Sequence, residues 1–408
     1  RSKKLVIVAM QFTGAIGLGL IAVALQLPVW FGLTIALLFV LAYASATHDI
    51  AADGLYMASL SDTQQAAYAG WQGAFFNASK FLTLGGLLAV LAASFAFLFL
   101  RSEGGDAPAP AATTPAASTP ELVARGEYLT RAGNCMACHT DRGGAPWAGG
   151  RAIVTPFGTV YAGNLTPDPK TGIGAWTADD FWRALHHGRS RDGRMLYPAF
   201  PYTNYTQVSR ADADAMFAFL RTVPAVERAN LPHDLRWPHS TQAALAAWRA
   251  LYFRPGTYRE DTTQGAQWNR GAYLVRGLGH CSACHATRNA LGASDMMDLS
   301  GGMIPMQAWY APSLASDREA GVAGWKNEEI VQLLRTGSSP RASTLGPMAE
   351  VVLHSTQHLT PSDLEAMAVF LQSVPPATLP VAPALPVPAS VTERGARIYA
   401  DHCAQCHG

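Results

Sequence analysis

Cysteine is missing from this chain everywhere except three short stretches. All six cysteines sit in Cys135-Met136-Ala137-Cys138-His139, Cys281-Ser282-Ala283-Cys284-His285 and Cys403-Ala404-Gln405-Cys406-His407. Charge is scarce too: charged residues make up 14% of the chain and nearly cancel, leaving a net +1. With no basic stripe to follow a phosphate backbone, nucleic acid is excluded as a partner. The cysteine pairs lie more than a hundred residues apart, and each has its own histidine. Structural zinc needs four ligands in one place, so this spacing argues against a zinc centre.

What the three stretches share is Cys-x-x-Cys-His, the pattern that covalent haem attachment needs. Each thiol adds to a porphyrin vinyl group as a thioether, and the histidine next in the turn presents its imidazole to the iron. The expected covalent haem residues are Cys135, Cys138, Cys281, Cys284, Cys403 and Cys406, with His139, His285 and His407 as axial ligands. Haem of this type is attached outside the cytoplasm, which predicts a periplasmic location for everything after about residue 101.

A length of 408 residues has room for two or three domains, and a hydrophobic content of 49% fits membrane segments. Residues 1–101 form a block unlike the rest. Residues 5–27 are nearly uncharged and long enough for one membrane helix. Pro28 breaks that run; residues 29–46 form a second and 81–100 a third. Arg1, Lys3 and Lys4 predict a cytoplasmic N-terminus. Three crossings then bring Arg101 to the outer side, in agreement with the haem argument. The third run also reads as the apolar core of a secretion signal. Asp49 and Asp53, between the second and third runs, are one helical turn apart. They read either as a proton or substrate site in a transporter helix or as the polar end of a helix at the membrane surface, which the physics favours. Residues 102–120, rich in Pro, Ala, Thr and Ser, form a linker.

The rest is a repeat. Residues 121–230 and 266–375 are two copies of one unit, joined by a connecting segment over 231–265. Arg125-Gly126 with Tyr128-Leu129 precedes the first haem motif, and Arg270-Gly271 with Tyr273-Leu274 precedes the second. Trp176 and Gly188 bracket a helical pattern, as do Trp325 and Gly337. A closing helix begins near Asp212 in one copy and Asp363 in the other, and prolines stop both. Each unit reads as an opening helix carrying the haem motif, a long irregular loop, a middle helix and a closing helix. That is the order of a class I cytochrome c. In the connecting segment a helix is expected over 241–253, with Trp248, Leu251 and Tyr252 free to dock on either domain. Residues 376–390 are a second proline-rich linker. Residues 391–408 open a third copy, which has its attachment motif but no lid or closing helix. The expected fold class is all-α: two class I cytochrome c domains plus the start of a third, preceded by transmembrane helices.

Such an iron takes histidine on one side and usually methionine on the other, a soft ligand that raises the potential. Met348, fifteen residues before Asp363, is the expected ligand of the second haem. Met303 and Met306 compete and are read as core packing, as are Met216 and Met367 on the closing helices. In the first unit the corresponding position is Tyr197, so nearby Met195 is the candidate, with His186 and His187 as alternatives. Trp176 and Trp325 either donate to a haem propionate or wall the pocket. Arg183, Arg189 and Arg191 either balance propionate charge or form a solvated edge.

Asn164-Leu165-Thr166-Pro167-Asp168-Pro169, Gly172-Ile173-Gly174-Ala175-Trp176, Tyr197-Pro198-Ala199-Phe200-Pro201-Tyr202 and Gly346-Pro347-Met348-Ala349-Glu350-Val351-Val352 resemble the multihaem cytochrome c subunit of membrane-bound alcohol and gluconate dehydrogenases. The resemblance implies haem c, with two haems expected and a third attachment motif present. It also implies a dehydrogenase catalytic subunit as partner, ubiquinone or another respiratory acceptor, and no substrate chemistry in the chain itself. Many members of that family have Met after Tyr-Pro-Ala, where Phe200 stands here. Residues 1–88, with Ala46-Thr47-His48-Asp49 and Gly70-Trp71-Gln72-Gly73, resemble part of a muropeptide-permease-like major facilitator transporter. Three helices cannot enclose a transport path, so the block is expected to act as an anchor. The expected location is the inner membrane with the haem domains facing the periplasm. A transporter remnant and a cytochrome c peroxidase-like enzyme are the alternatives.

Overall fold

A computed structural model describes residues 2–24, 30–65, scattered positions between 74 and 96, 119–376 and 387–407. The chain divides into two compact units, Arg1–Ser94 and Phe95–Gly408.

In the first, α1 (Ser2–Ala24) and α2 (Trp30–Ser59) lie on either side of Pro28 and pack on each other, with Lys3 Nζ donating to the Gly54 carbonyl at 2.8 Å. Lys3–Ile21 and Leu33–Ser59 are long and apolar enough to cross a membrane. The second helix runs on through the polar stretch, so that Asp49 and Asp53 are helical and exposed. The expected third run lies largely outside the described residues, as does most of the first linker.

The second unit holds the repeat. Thr119 caps α3 (Pro120–Ala132) by accepting from the Leu122 amide, with proline at the first position. The haem motif forms α4 (Cys135–His139). After the hairpin of β1 (Ala152–Thr155) and β2 (Gly158–Tyr161) come α5 (Ala178–His187), α6 (Tyr202–Tyr205) and α7 (Arg210–Leu220). Strand β3 (Asp234–Leu235) and α8 (Gln242–Tyr252) connect to the second copy: α9 (Ala266–Tyr273), α10 (Ser282–His285), β4 (Gly302–Ile304), β5 (Trp309–Ala311), α11 (Asn327–Thr336), α12 (Pro347–His354) and α13 (Pro361–Gln372). The third motif follows on α14 (Ala389–His402) and α15 (Ala404–His407).

Among the described residues, five short strands accompany the mostly helical fold. β1, β2 and β3 form one antiparallel sheet, and β4 and β5 form another. Each hairpin occupies the loop after a haem motif, where β-branched and aromatic residues such as Ile153, Val154, Thr159 and Val160, or Ile304, Trp309 and Tyr310, favour extended backbone.

Opening and closing helices cross in contact in both copies, α3 on α7 and α9 on α13. Glycine makes the crossing possible. A Cβ on Gly126 would stand 1.9 Å from the Ala215 carbonyl oxygen, and one on Gly271 would stand 1.9 Å from that of Ala366. The second copy has one more residue between its Arg-Gly pair and its first cysteine. A π-helical turn over Leu274–Leu278 absorbs it. The two copies share one continuous core, from Leu129, Trp182 and Met216 to Leu274, Leu364 and Met367. The connecting helix α8 docks on the first copy through Leu245 and Ala246 and reaches the second through Trp248 Nε1, which donates to the Leu291 carbonyl at 2.9 Å. Leu251 stays exposed, so Trp248 bridges the copies and Leu251 does not dock.

Candidate haem-attachment sites

Each of the first two motifs is a single helical turn entered through a left-handed residue, Asn134 at φ 50° and His280 at φ 38°. The turn brings both cysteines and the histidine together. His139 Nδ1 donates to the Gly163 carbonyl at 2.7 Å, and His285 Nδ1 donates to the Pro312 carbonyl at 2.8 Å. Each bond fixes the tautomer and leaves Nε2 as the ligating atom, the arrangement a metal-binding imidazole needs. Burial pushes both imidazoles below their ordinary value, so each is held neutral, against a smaller opposing effect from the carbonyl. As free thiols, Cys135 and Cys281 are each pushed up by burial to about 12. The donor set and its orientation fit a covalently attached haem with histidine ligation.

The peptides that orient the histidines are themselves held. Asn164 N–H, on the far side of the Gly163 carbonyl's peptide, donates to Asn230 Oδ1 at 2.7 Å. Ser313 N–H, on the far side of the Pro312 peptide, donates to Glu319 Oε2 at 2.5 Å. An amide serves the first site and a carboxylate the second.

The sites also grip each other. Asn204 Nδ2 donates to Ser282 Oγ at 2.9 Å and to the Arg276 carbonyl at 2.8 Å. Ser355 Oγ, from the matching position of the second copy, donates to the Ala132 carbonyl at 3.1 Å. Arg151 donates to the Ala137 carbonyl at 2.6 Å and to Glu350 at 2.9 Å, tying the first motif to α12. The Cys138 thiol keeps an exposed edge. It is raised first by the protein packed around it and then, against Arg151, by the Cys284 thiol and the Glu350 carboxylate. The Asn204 and Ser355 hydrogen bonds therefore hold the two attachment turns side by side.

The structure places the other candidates as follows. Met348 is half-buried against the shared core. Met195 is buried in a separate cluster with Leu245, Ala246 and Tyr197, apart from the core that holds Cys135. Met303 and Met306 are 59% and 63% exposed; their hairpin turns them outward, which corrects the reading of both as core. Met216 and Met367 are buried as expected. His186 and His187 are buried on α5, with the His186 ring stacked on Trp182 at 4.4 Å. Trp176 and Trp325 pack on the core edge. Arg183 and Arg191 pair with Asp180, and Arg189 donates to the Gly193 carbonyl. Of the third motif, Cys403 is half-buried on an otherwise exposed helix, while the side chains of Cys406 and His407 lie outside the described residues. Sequence reasoning missed Asn204, Asn230, Glu319 and Ser355. Only the matched positions of Asn204 and Ser355, each just ahead of the closing helix, carried a signal for any of them.

Paired attachment turns with histidines aimed by backbone carbonyls define a c-type cytochrome. The cytochrome c family model matches residues 123–224. Over 311 residues the chain is 40% identical to the gluconate 2-dehydrogenase cytochrome c subunit of Pantoea cypripedii, covering 70% of this chain and 69% of that protein. It is 38% identical over 306 residues to the alcohol dehydrogenase (quinone) cytochrome c subunit of Gluconobacter oxydans, covering 70% and 63%. Against a diheme cytochrome c-type protein of Cereibacter sphaeroides it is 37% identical over 276 residues, covering 64% and 92%. The chain belongs to the family of cytochrome c subunits of gluconate, alcohol and fructose dehydrogenases.

Proposed function

We propose that this chain relays electrons from a dehydrogenase catalytic subunit to ubiquinone or another respiratory acceptor, anchored in the inner membrane with its haem units in the periplasm. The observation that carries the reading is the juxtaposition of the two attachment turns, held together by the hydrogen bonds of Asn204 and Ser355. When bound, each haem supplies one-electron iron chemistry. The chain's own residues do the rest. Cys135, Cys138, Cys281 and Cys284 hold the groups, His139 and His285 ligate, and Gly163 and Pro312 aim the imidazoles. Asn204, Ser355 and Arg151 keep the two sites in register. Met348, packed against the shared core, would supply the second iron's other ligand. Cys403, Cys406 and His407 supply a third attachment motif. The apolar α1 and α2 are the anchor.

The test is maturation in a host that attaches haem, followed by haem staining of the denatured chain and a stepwise reductive titration. Covalent stain and at least two one-electron steps are expected. A colourless chain overturns the reading, and peroxide turnover with a reduced donor, above that of free haem, replaces it with a peroxidase.

A further inference from the structure

The two copies come into register through the turns that follow their middle helices. Gly188 and Gly337 end α5 and α11 at φ of 58° and 77°. Leu196 N–H donates to the Gly188 carbonyl at 2.8 Å, and Thr344 N–H donates to the Gly337 carbonyl at 2.7 Å. Leu196 thus matches Thr344. Following both chains onward, Phe200 matches Met348. The closing helices give a different count because the second copy is longer at this point: α12 has 8 residues where α6 has 4. The extra turn lies after the ligand position. Counting back from Asp212 therefore overshoots to Tyr197, beside Met195.

On the reading that Met348 ligates the second iron, Phe200 occupies the corresponding place in the first copy. It is half-buried against the shared core, and its ring lies 5.3 Å from that of Tyr205. The Tyr205 hydroxyl donates to the Gly133 carbonyl at 2.8 Å, immediately ahead of the first attachment turn. The first unit's methionines are Met136, Met195 and Met216. Met136 lies inside the attachment turn, Met216 is the core twin of Met367, and Met195 packs on α8 with its amide donating to Gln242 Oε1 at 2.8 Å. The nearby histidines are on α5, where His186 stacks on Trp182.

Resting on the reading that Cys135, Cys138 and His139 carry a haem, we propose that the first iron has no protein sulfur ligand opposite His139. Its far face, walled by Phe200, is an apolar binding site for a small neutral diatomic ligand. With haem bound, the ferrous iron would accept the carbon lone pair of a ligand such as carbon monoxide with no protein group displaced.

The experiment uses the full chain with Cys403→Ser and Cys406→Ser, so that the third motif contributes nothing, matured in a competent host. Pyridine haemochrome counts the haems, and the ferrous chain is titrated with carbon monoxide while its Soret band is followed. Two haems and uptake of one carbon monoxide per chain are expected. Phe200→Met is expected to abolish uptake and to add a methionine-to-iron charge-transfer band to the ferric spectrum. Met195→Leu is expected to leave uptake unchanged. A colourless chain overturns the haem reading and this inference with it. Two haems with no carbon monoxide uptake overturn this inference alone. Uptake gained only in Met195→Leu, or only in His186→Ala or His187→Ala, then identifies the sixth ligand that displaces it.

Discussion

Tyr128, on the opening helix of the first copy, donates a hydrogen bond to Asp363 on the closing helix of the second at 2.5 Å. Tyr273 returns the contact, donating to Asp212 at 2.6 Å. Each aspartate also receives the arginine of its own copy, Arg125 for Asp212 and Arg270 for Asp363. Both carboxylates are buried, so each tyrosine satisfies a charge that water cannot reach. A hydrogen bond to a charged group contributes about 1.5–3 kcal/mol. Tyr273→Phe is expected to lower the stability of the paired units by about that amount, read from the midpoint of chemical denaturation. Tyr128→Phe is expected to cost a similar amount.

The same contact makes the pair sensitive to acid. Burial pushes the Asp363 carboxyl up, but the hydrogen bonds from Arg270 and Tyr128 outweigh it and leave it below the ordinary carboxylate value. A carboxylate whose folded value is depressed stabilises the fold above its unfolded value, about 3.9. That contribution is lost as pH falls toward the folded value. Stability is therefore expected to drop below about pH 4, and Asp363→Asn to flatten that limb of the pH profile while lowering stability at neutral pH. An unchanged acid limb in the variant would remove Asp363 from the account.

Gly126→Ala and Gly271→Ala test the helix crossings. In each case the new methyl group meets a backbone carbonyl at 1.9 Å, which no rotamer relieves. The expected cost is about 3 kcal/mol or more, seen as loss of soluble, haem-bearing protein.

Met348→Ala is expected to lower the potential of the second haem and change its ferric spectrum. The shift should be a sizeable part of the roughly 0.8 V that axial ligands command. Redox titration of the variant with no change in the second wave would remove Met348 as the ligand.

Glu319 offers a finer test. It holds the Pro312–Ser313 peptide with a negative charge where Asn230 holds its counterpart with a neutral amide. Negative charge behind the histidine favours ferric iron. Glu319→Gln is expected to raise the second haem's potential by at most about 40 mV, the one-electron equivalent of the roughly 1 kcal/mol ceiling on an exposed charge.

The attachment motifs, the duplication and the helix order were legible because Cys-x-x-Cys-His, Arg-Gly and the capped helix ends are local patterns. Phe200 was legible as a departure from its family, but not as the partner of Met348. An insertion between ligand loop and closing helix shifts any count made from one end, and only the hydrogen-bonded turns at Gly188 and Gly337 fix the register. The hairpins were read as irregular loop because their strands are 3 or 4 residues long, too short for alternation to show. The tyrosine exchange was hidden because Tyr128 and Asp363 are far apart in sequence, and nothing local marks either as an interface residue.

The crossed tyrosines have a consequence for how the two halves work as a device. Neither half is a self-contained module, since each lends a side chain that completes the other's buried carboxylate. Any swivel between them would strip both carboxylates of a donor at once. Under the proposed relay, the separation between the two attachment sites is therefore a fixed dimension of the fold, set by this exchange rather than by a hinge.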